Sequence, residues 1–194
     1  VEGGLMADAS SVLLQQFFKS KRNNPNPLRE DALRPQDEWF EGLTDYPWPA
    51  HYMSDLKALN GLRLHYLDEA KVDHPEDQLT YLCLHGNPAW SYLYRKMIPT
   101  FTSQGHRVVA PDLIGFGKSD KLKKSQAHSF DFHRNVLLEF IERLDLRNIV
   151  LVVQDWGGIL GLTLPIASPQ RYAGLLVMNT SLTTGKVPLS DGFT

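Results

Sequence analysis

The chain has 194 residues, 42% apolar and 22% charged, with a formal net charge of −2. That balance suits one sizeable globular domain facing water and offers no electrostatic footing for a nucleic acid or other polyanion. The single cysteine, Cys83, excludes an intrachain disulfide and a thiolate metal cluster, and no apolar stretch approaches the roughly 18 residues that would suggest a membrane span.

Residues 1–32 read as an N-terminal arm. Val12, Leu13, Leu14, Phe17 and Phe18 would line one side of a short helix from Ser10 to Lys19, or belong to a partly ordered arm, because the polar stretch Lys21 to Pro27 carries two prolines. No basic segment followed by an apolar one resembles a secretion leader, so a cytoplasmic location is expected. Residues 33–194 read as an α/β core. Arg34 to Trp48 is irregular and aromatic. Leu56 to Leu67 suggests two strands joined at Asn60-Gly61, and Leu79 to Leu84 a short strand with Cys83 buried and inert inside it. Ser91 would cap a helix running to Gln104, stopped by Gly105. His106 to Ala110 is the next strand, and Phe132, Val136, Leu137, Phe140, Ile141 and Leu144 fall on one face of a helix. Ile159 to Ala167 has helical spacing, and Ala173 to Met178 reads as one more buried strand. Strands alternating with helices predict a mainly parallel sheet covered on both faces. Ligands in such sheets bind at the carboxyl ends of the strands, where three loops carry chemistry: His85 to Trp90, Pro111 to Asp120 and Gln154 to Gly158.

The last of these is the most informative. Leu151-Val152-Val153 runs into Gln154-Asp155-Trp156-Gly157-Gly158, an apolar strand entering a tight glycine turn that opens a helix. This is the pattern of a nucleophile elbow, in which small neighbours let the backbone bend and lift the nucleophile above the sheet. The usual Ser is Asp155 here and the first Gly is Val153. A carboxylate attacking an sp3 carbon that bears a leaving group makes an ester, which water can later cleave to return the Asp. The Trp156 indole N–H, a donor only, could hold a departing halide as its charge develops. The competing reading makes Asp155 a helix N-cap and Trp156 a core residue.

His85-Gly86-Asn87-Pro88-Ala89-Trp90, Ser91 to Arg95, Pro111-Asp112-Leu113-Ile114-Gly115-Phe116-Gly117-Lys118-Ser119-Asp120 and Gln154-Asp155-Trp156-Gly157-Gly158 together resemble the haloalkane dehalogenases of the α/β-hydrolase fold, from Leu33 to the last residue. The resemblance implies that Asp155 displaces halide from a haloalkane carbon and that Trp156 and Asn87 hold the halide. It also implies that the backbone N–H groups of Asn87 and Trp156 form the oxyanion hole for ester hydrolysis, with no metal and no cofactor beyond water. The competing reading has Asn87 only shape its loop. His85 reads as structural; Arg95, Lys96, His128 and His133 read as solvated or capping residues, and Lys118 to Lys124 as an ordinary surface loop.

The pattern then departs from the family. Members activate water with a histidine near the C-terminus, oriented by an acid on a later strand, and close the pocket with a helical cap. The 39 residues after Asp155 hold no histidine and one acid, Asp191, in a tail that matches the lead-in to the cap. These 194 residues are therefore expected to alkylate Asp155 once without turning over, a C-terminal segment of the same protein being needed to complete the cycle. An epoxide hydrolase, a luciferase of dehalogenase ancestry and a non-catalytic binder of small apolar ligands share parts of the pattern. Gln154 stands where epoxide hydrolases usually carry His.

Overall fold

The structure, a computed structural model, describes residues 28–70 and 78–181. The expected helix over Ser10 to Lys19 and the acid Asp191 lie outside the described residues.

Among the described residues, eight strands and three α-helices follow one another: β1 (Ala32–Leu33), β2 (His51–Met53), β3 (Leu64–Glu69), β4 (Thr80–Leu84), α1 (Ile98–Ser103), β5 (Arg107–Pro111), β6 (Lys121–Leu122), α2 (Phe130–Arg143), β7 (Ile149–Gln154), α3 (Trp156–Gly161) and β8 (Tyr172–Met178). Six strands form one sheet in the order β2-β3-β5-β4-β7-β8, and β1 pairs with β6. The β4–β5, β4–β7 and β7–β8 pairs are parallel, whereas β2 and β3 run antiparallel along one side. This is the α/β arrangement expected from the alternation.

Side chains alternate across the parallel strands and so build two cores. Leu82, Leu84, Leu151 and Val153 pack with Val136, Leu137, Phe140 and Ile141 of α2 and with Leu160 of α3. Cys83 and Val152 point the other way, toward Tyr94 and Ile98 beside α1. Cys83 is fully buried and its thiol is pushed up by that burial, so the inert reading holds. Helix α2 begins where Ser129 accepts a hydrogen bond from the Phe132 N–H at 3.1 Å, a side-chain N-cap.

Several expectations change. The turn at Asn60-Gly61 is real, both residues having positive φ (46° and 87°). The arms of the hairpin are His51–Met53 and Leu64–Glu69, however, while Lys57–Leu59 coils as a 3-10 turn. Buried Leu56, Leu59, Leu62 and Leu64 belong to the α2 core, and Glu139 of α2 accepts from the Ala58 N–H at 2.9 Å; that packing overrides the strand pattern. Ser91 caps nothing. Its N–H goes to Asp112 and its hydroxyl to Tyr46, so the segment starts as a 3-10 turn (Ser91–Tyr94) and becomes helical only at α1, whose early Pro99 suits a first turn. Gly105, at φ 83°, ends it as expected. Strand β8 forms but is not buried: among the described residues it is the last strand of the sheet, with Leu175 and Val177 54% and 50% exposed. Lys118 to Lys124 is no plain surface loop, because Lys118 and Asp120 are buried, Lys121–Leu122 is β6, and Asp120 receives a bidentate Arg34 at 2.7 and 2.8 Å.

Candidate active site

Strand β7 delivers Asp155 to the carboxyl edge of the sheet in a backbone conformation that side chains avoid, φ 51° and ψ −126°. Such a residue costs about 1–3 kcal/mol and persists only when its surroundings enforce it. Three glycines let the chain close around it. A Cβ on Gly157 would overlap the Leu84 carbonyl, one on Gly158 the Thr180 side chain, and one on Gly86 the Asp155 carboxylate itself. The elbow read from the sequence is therefore built, with glycine needed on the opposing loop as well.

The Asp155 carboxylate does not cap α3: it makes no side-chain hydrogen bond to the helix. Oδ1 instead accepts the Asn87 backbone N–H at 2.8 Å, across the 68 residues that separate the two loops in sequence. The Asn87-Pro88 peptide is cis. Both Asn87 and Trp156 are exposed, and both line a cavity of about 390 Å³ together with Gly86, Leu113, Gly115, Phe116, His128, Ser129, Phe130, His133 and Leu160. The three loops singled out in the sequence thus meet at one place.

His85 is structural, as expected. It is fully buried; its Nε2 accepts the Leu113 N–H at 2.9 Å, which leaves Nδ1 to donate to the Gly86 carbonyl at 2.8 Å, and burial lowers its pKa. Arg95 and Lys96 keep their predicted surface and capping roles, Arg95 donating to the Tyr92 carbonyl at 3.2 Å and Lys96 being exposed. The two histidines at the start of α2, His128 just before it and His133 within it, do not. His128 and His133 are half-buried, stack at 5.4 Å and share a hydrogen bond of 3.2 Å, and both face the cavity. Burial, then the charges of His128 and His85, pull His133 down to about 4.

Sequence reasoning missed Asp112. It is fully buried at the end of β5, where its carboxylate accepts the Ser91 N–H at 2.8 Å, the Lys118 N–H at 2.8 Å and His65 Nδ1 at 2.7 Å. Burial alone would raise its pKa, but the bond and charge of His65, helped by His85 and Ser91, hold it below the usual carboxylate range. A Cβ on Gly117 would overlap this carboxylate. Asp112 thereby joins the loop after β4 to the loop after β5, the two that flank Asp155. Among the described residues, no group of three or more His, Cys, Asp or Glu could hold a metal ion, and no helix is long and apolar enough to cross a membrane.

The sequence profile of the alpha/beta hydrolase fold matches residues 82–191, from β4 through the elbow and β8. The chain belongs to the alpha/beta hydrolase fold family. Within that family it is similar to the haloalkane dehalogenase of Psychrobacter cryohalolentis, 47% identical over 162 residues that cover 83% of this chain and 52% of that protein. It is also similar to the haloalkane dehalogenase of Mycolicibacterium paratuberculosis, 44% identical over 80% of this chain and 50% of that protein. The solved tetrameric haloalkane dehalogenase of Paraglaciecola agarilytica superimposes with a TM-score of 0.77 at 52% identity, over 83% of this chain and 52% of that one. A Vigna radiata epoxide hydrolase, 23% identical with a TM-score of 0.61 over 76% of this chain and 44% of that one, shares the fold. The alpha/beta hydrolase chain described here spans about half the length of the relatives it matches.

Proposed function

We propose that the protein is a haloalkane dehalogenase that hydrolyses a carbon–halogen bond through an ester on Asp155. The observation that carries this reading is an aspartate at a strained elbow whose carboxylate is turned away from its own helix and held by the Asn87 N–H, between Asn87 and Trp156, which both line the cavity. The free carboxylate oxygen attacks the carbon bearing the halogen; the C–O bond forms as the C–X bond breaks, and its electron pair leaves with the halide. The Trp156 indole N–H and the Asn87 side-chain amide donate to that halide, whose charge exists only as the bond breaks. Leu113, Phe116, Phe130 and Leu160 supply an apolar wall for a small halogenated alkane.

Oδ1, already bonded to Asn87, becomes the carbonyl oxygen of the ester. When water adds to the ester carbon, the negative charge builds on that oxygen, where the backbone N–H groups of Asn87 and Trp156 receive it. Collapse releases the alcohol and restores the carboxylate, with no cofactor beyond water. The attacking water must lose a proton to a base. His85 is unsuited, since both its ring nitrogens are engaged; a histidine in a C-terminal segment of the same protein is the proposed partner for this step.

The test is intact-mass measurement after incubation with a dibromoalkane, beside Asp155→Asn. A mass increase of one bromoalkyl group, absent in the variant, is the expected result for these 194 residues; multiple turnovers from them would overturn the single-alkylation expectation. Diol formation from an epoxide instead would favour an epoxide hydrolase, and neither adduct nor bromide from a folded sample would leave a ligand-binding protein.

A further inference from the structure

The strain at Asp155 needs something to hold it, and what holds it comes from the far end of β8. The Asp155 N–H donates to the Asn179 carbonyl at 3.0 Å, and the Thr180 hydroxyl donates to the Asp155 carbonyl at 2.7 Å. The two residues just beyond β8 therefore grip the nucleophile's backbone on both sides. Asn179 itself sits at φ 40°, a turn that brings Thr180 back under the elbow. Thr180 reaches the carbonyl through space left by the missing side chain of Gly158, where a Cβ would overlap Thr180 Oγ1 and Cγ2. The same carbonyl also accepts the Gly158 and Ile159 N–H groups at 2.9 and 3.2 Å, the ordinary opening bonds of a helix. Thr180 is thus an addition to what α3 requires for itself.

We propose that Thr180 is a positioning residue for the nucleophile: its hydroxyl fixes the Asp155 peptide in the conformation that aims the carboxylate at the Asn87 N–H, and Gly158 is glycine to admit it. Thr180 touches no reacting atom; it acts through the backbone of Asp155. A small misaim of a nucleophile costs rate far more than binding, so the signature is kinetic.

The kinetic arm rests on the proposed alkylation of Asp155; the exchange arm does not. Thr180→Val, which keeps the branched shape and removes the hydroxyl, is expected to lower the first-order rate of adduct formation from a dibromoalkane about tenfold with the half-saturating concentration unchanged. Thr180→Ser, which keeps the hydroxyl, should restore the rate to within about threefold. Gly158→Ala should reproduce the Thr180→Val defect by pushing the hydroxyl away, and the double variant should be no slower than either single one, since both remove the same bond. By hydrogen exchange, the Asp155 amide should lose protection in Thr180→Val and regain it in Thr180→Ser. Wild-type rates in Thr180→Val, or a Thr180→Ser as slow as Thr180→Val, would overturn the proposal. If the wild-type chain forms no adduct, the dehalogenase reading fails while the exchange arm still decides Thr180: unchanged protection refutes it. Should Thr180→Val not fold, Thr180→Ala takes its place under the same criteria, and failure of both to fold would assign Thr180 to folding alone and overturn the proposal.

Discussion

Replacing Asp112 with Ala tests whether the site's two flanking loops are tied together by one buried carboxylate. The substitution removes three hydrogen bonds of 2.7–2.8 Å, from His65, Ser91 and Lys118, in a place without solvent. Each stranded backbone N–H costs about 1–3 kcal/mol, and the buried His65 Nδ1–H left without its acceptor costs a similar amount. His65 adds to this because, among the described residues, its Nε2 has no partner either. Since these penalties overlap, the expected loss is about 4–5 kcal/mol, a large part of the 5–15 kcal/mol typical of a whole domain, or about 8–20 °C in Tm for a chain of this size. Asp112→Asn keeps one acceptor oxygen and should lose about half as much. Urea unfolding followed by circular dichroism measures both variants. A loss below about 1 kcal/mol for Asp112→Ala would refute the idea that this carboxylate joins the loops.

Three further outcomes are expected. Gly157→Ala drives a methyl into the Leu84 carbonyl, so the elbow must open; we expect about 2–3 kcal/mol of destabilisation in urea and no adduct on Asp155 by mass. Trp156→Phe keeps an aromatic wall but deletes the indole donor, and should slow alkylation about 10²-fold, the scale of losing one preorganised donor, as measured by the first-order rate of adduct formation. Stability should fall as pH drops from about 6.5 to about 4. His133 and His85 have folded pKa values below their unfolded ones, so the unfolded state takes up protons first and the stability present at neutral pH is lost through that window. Urea midpoints across it should flatten in His133→Gln.

Legibility in the sequence followed how local each determinant is. The elbow was readable because its signal is contiguous: an apolar run, Asp155, then Gly157-Gly158. Helix α2 is readable because its apolar spacing lies within one segment, whereas its Ser129 cap emerges only from the structure. Asp112 was not, since its meaning depends on His65 and Ser91, 47 and 21 residues away, and a lone Asp after a strand looks like any turn residue. Gly86 was noted as part of a motif, but its physical reason, room for the Asp155 carboxylate, exists only once two distant loops meet. His128 was misread as solvated because its environment is set by a different segment, Gly115, against which its ring packs.

The choice between a nucleophile and a structural residue at position 155 comes down to energy. A helix-capping Asp gains about 0.5–2 kcal/mol over Ala, whereas this Asp precedes α3 and makes no capping bond. It accepts the strain of φ 51° besides, about 1–3 kcal/mol. A merely structural position would recover both amounts by relaxing to extended backbone and turning its carboxylate onto the N–H groups of α3. The protein instead surrounds the strained form with three glycines, the Asn87 N–H and the Thr180 hydroxyl, each of which would be unnecessary for a cap. Local rules broken together at one residue, and enforced by elements from separate parts of the chain, are expected of a site held for chemistry, and they support the nucleophile proposed at Asp155, whose carboxylate has one oxygen bonded to the Asn87 N–H.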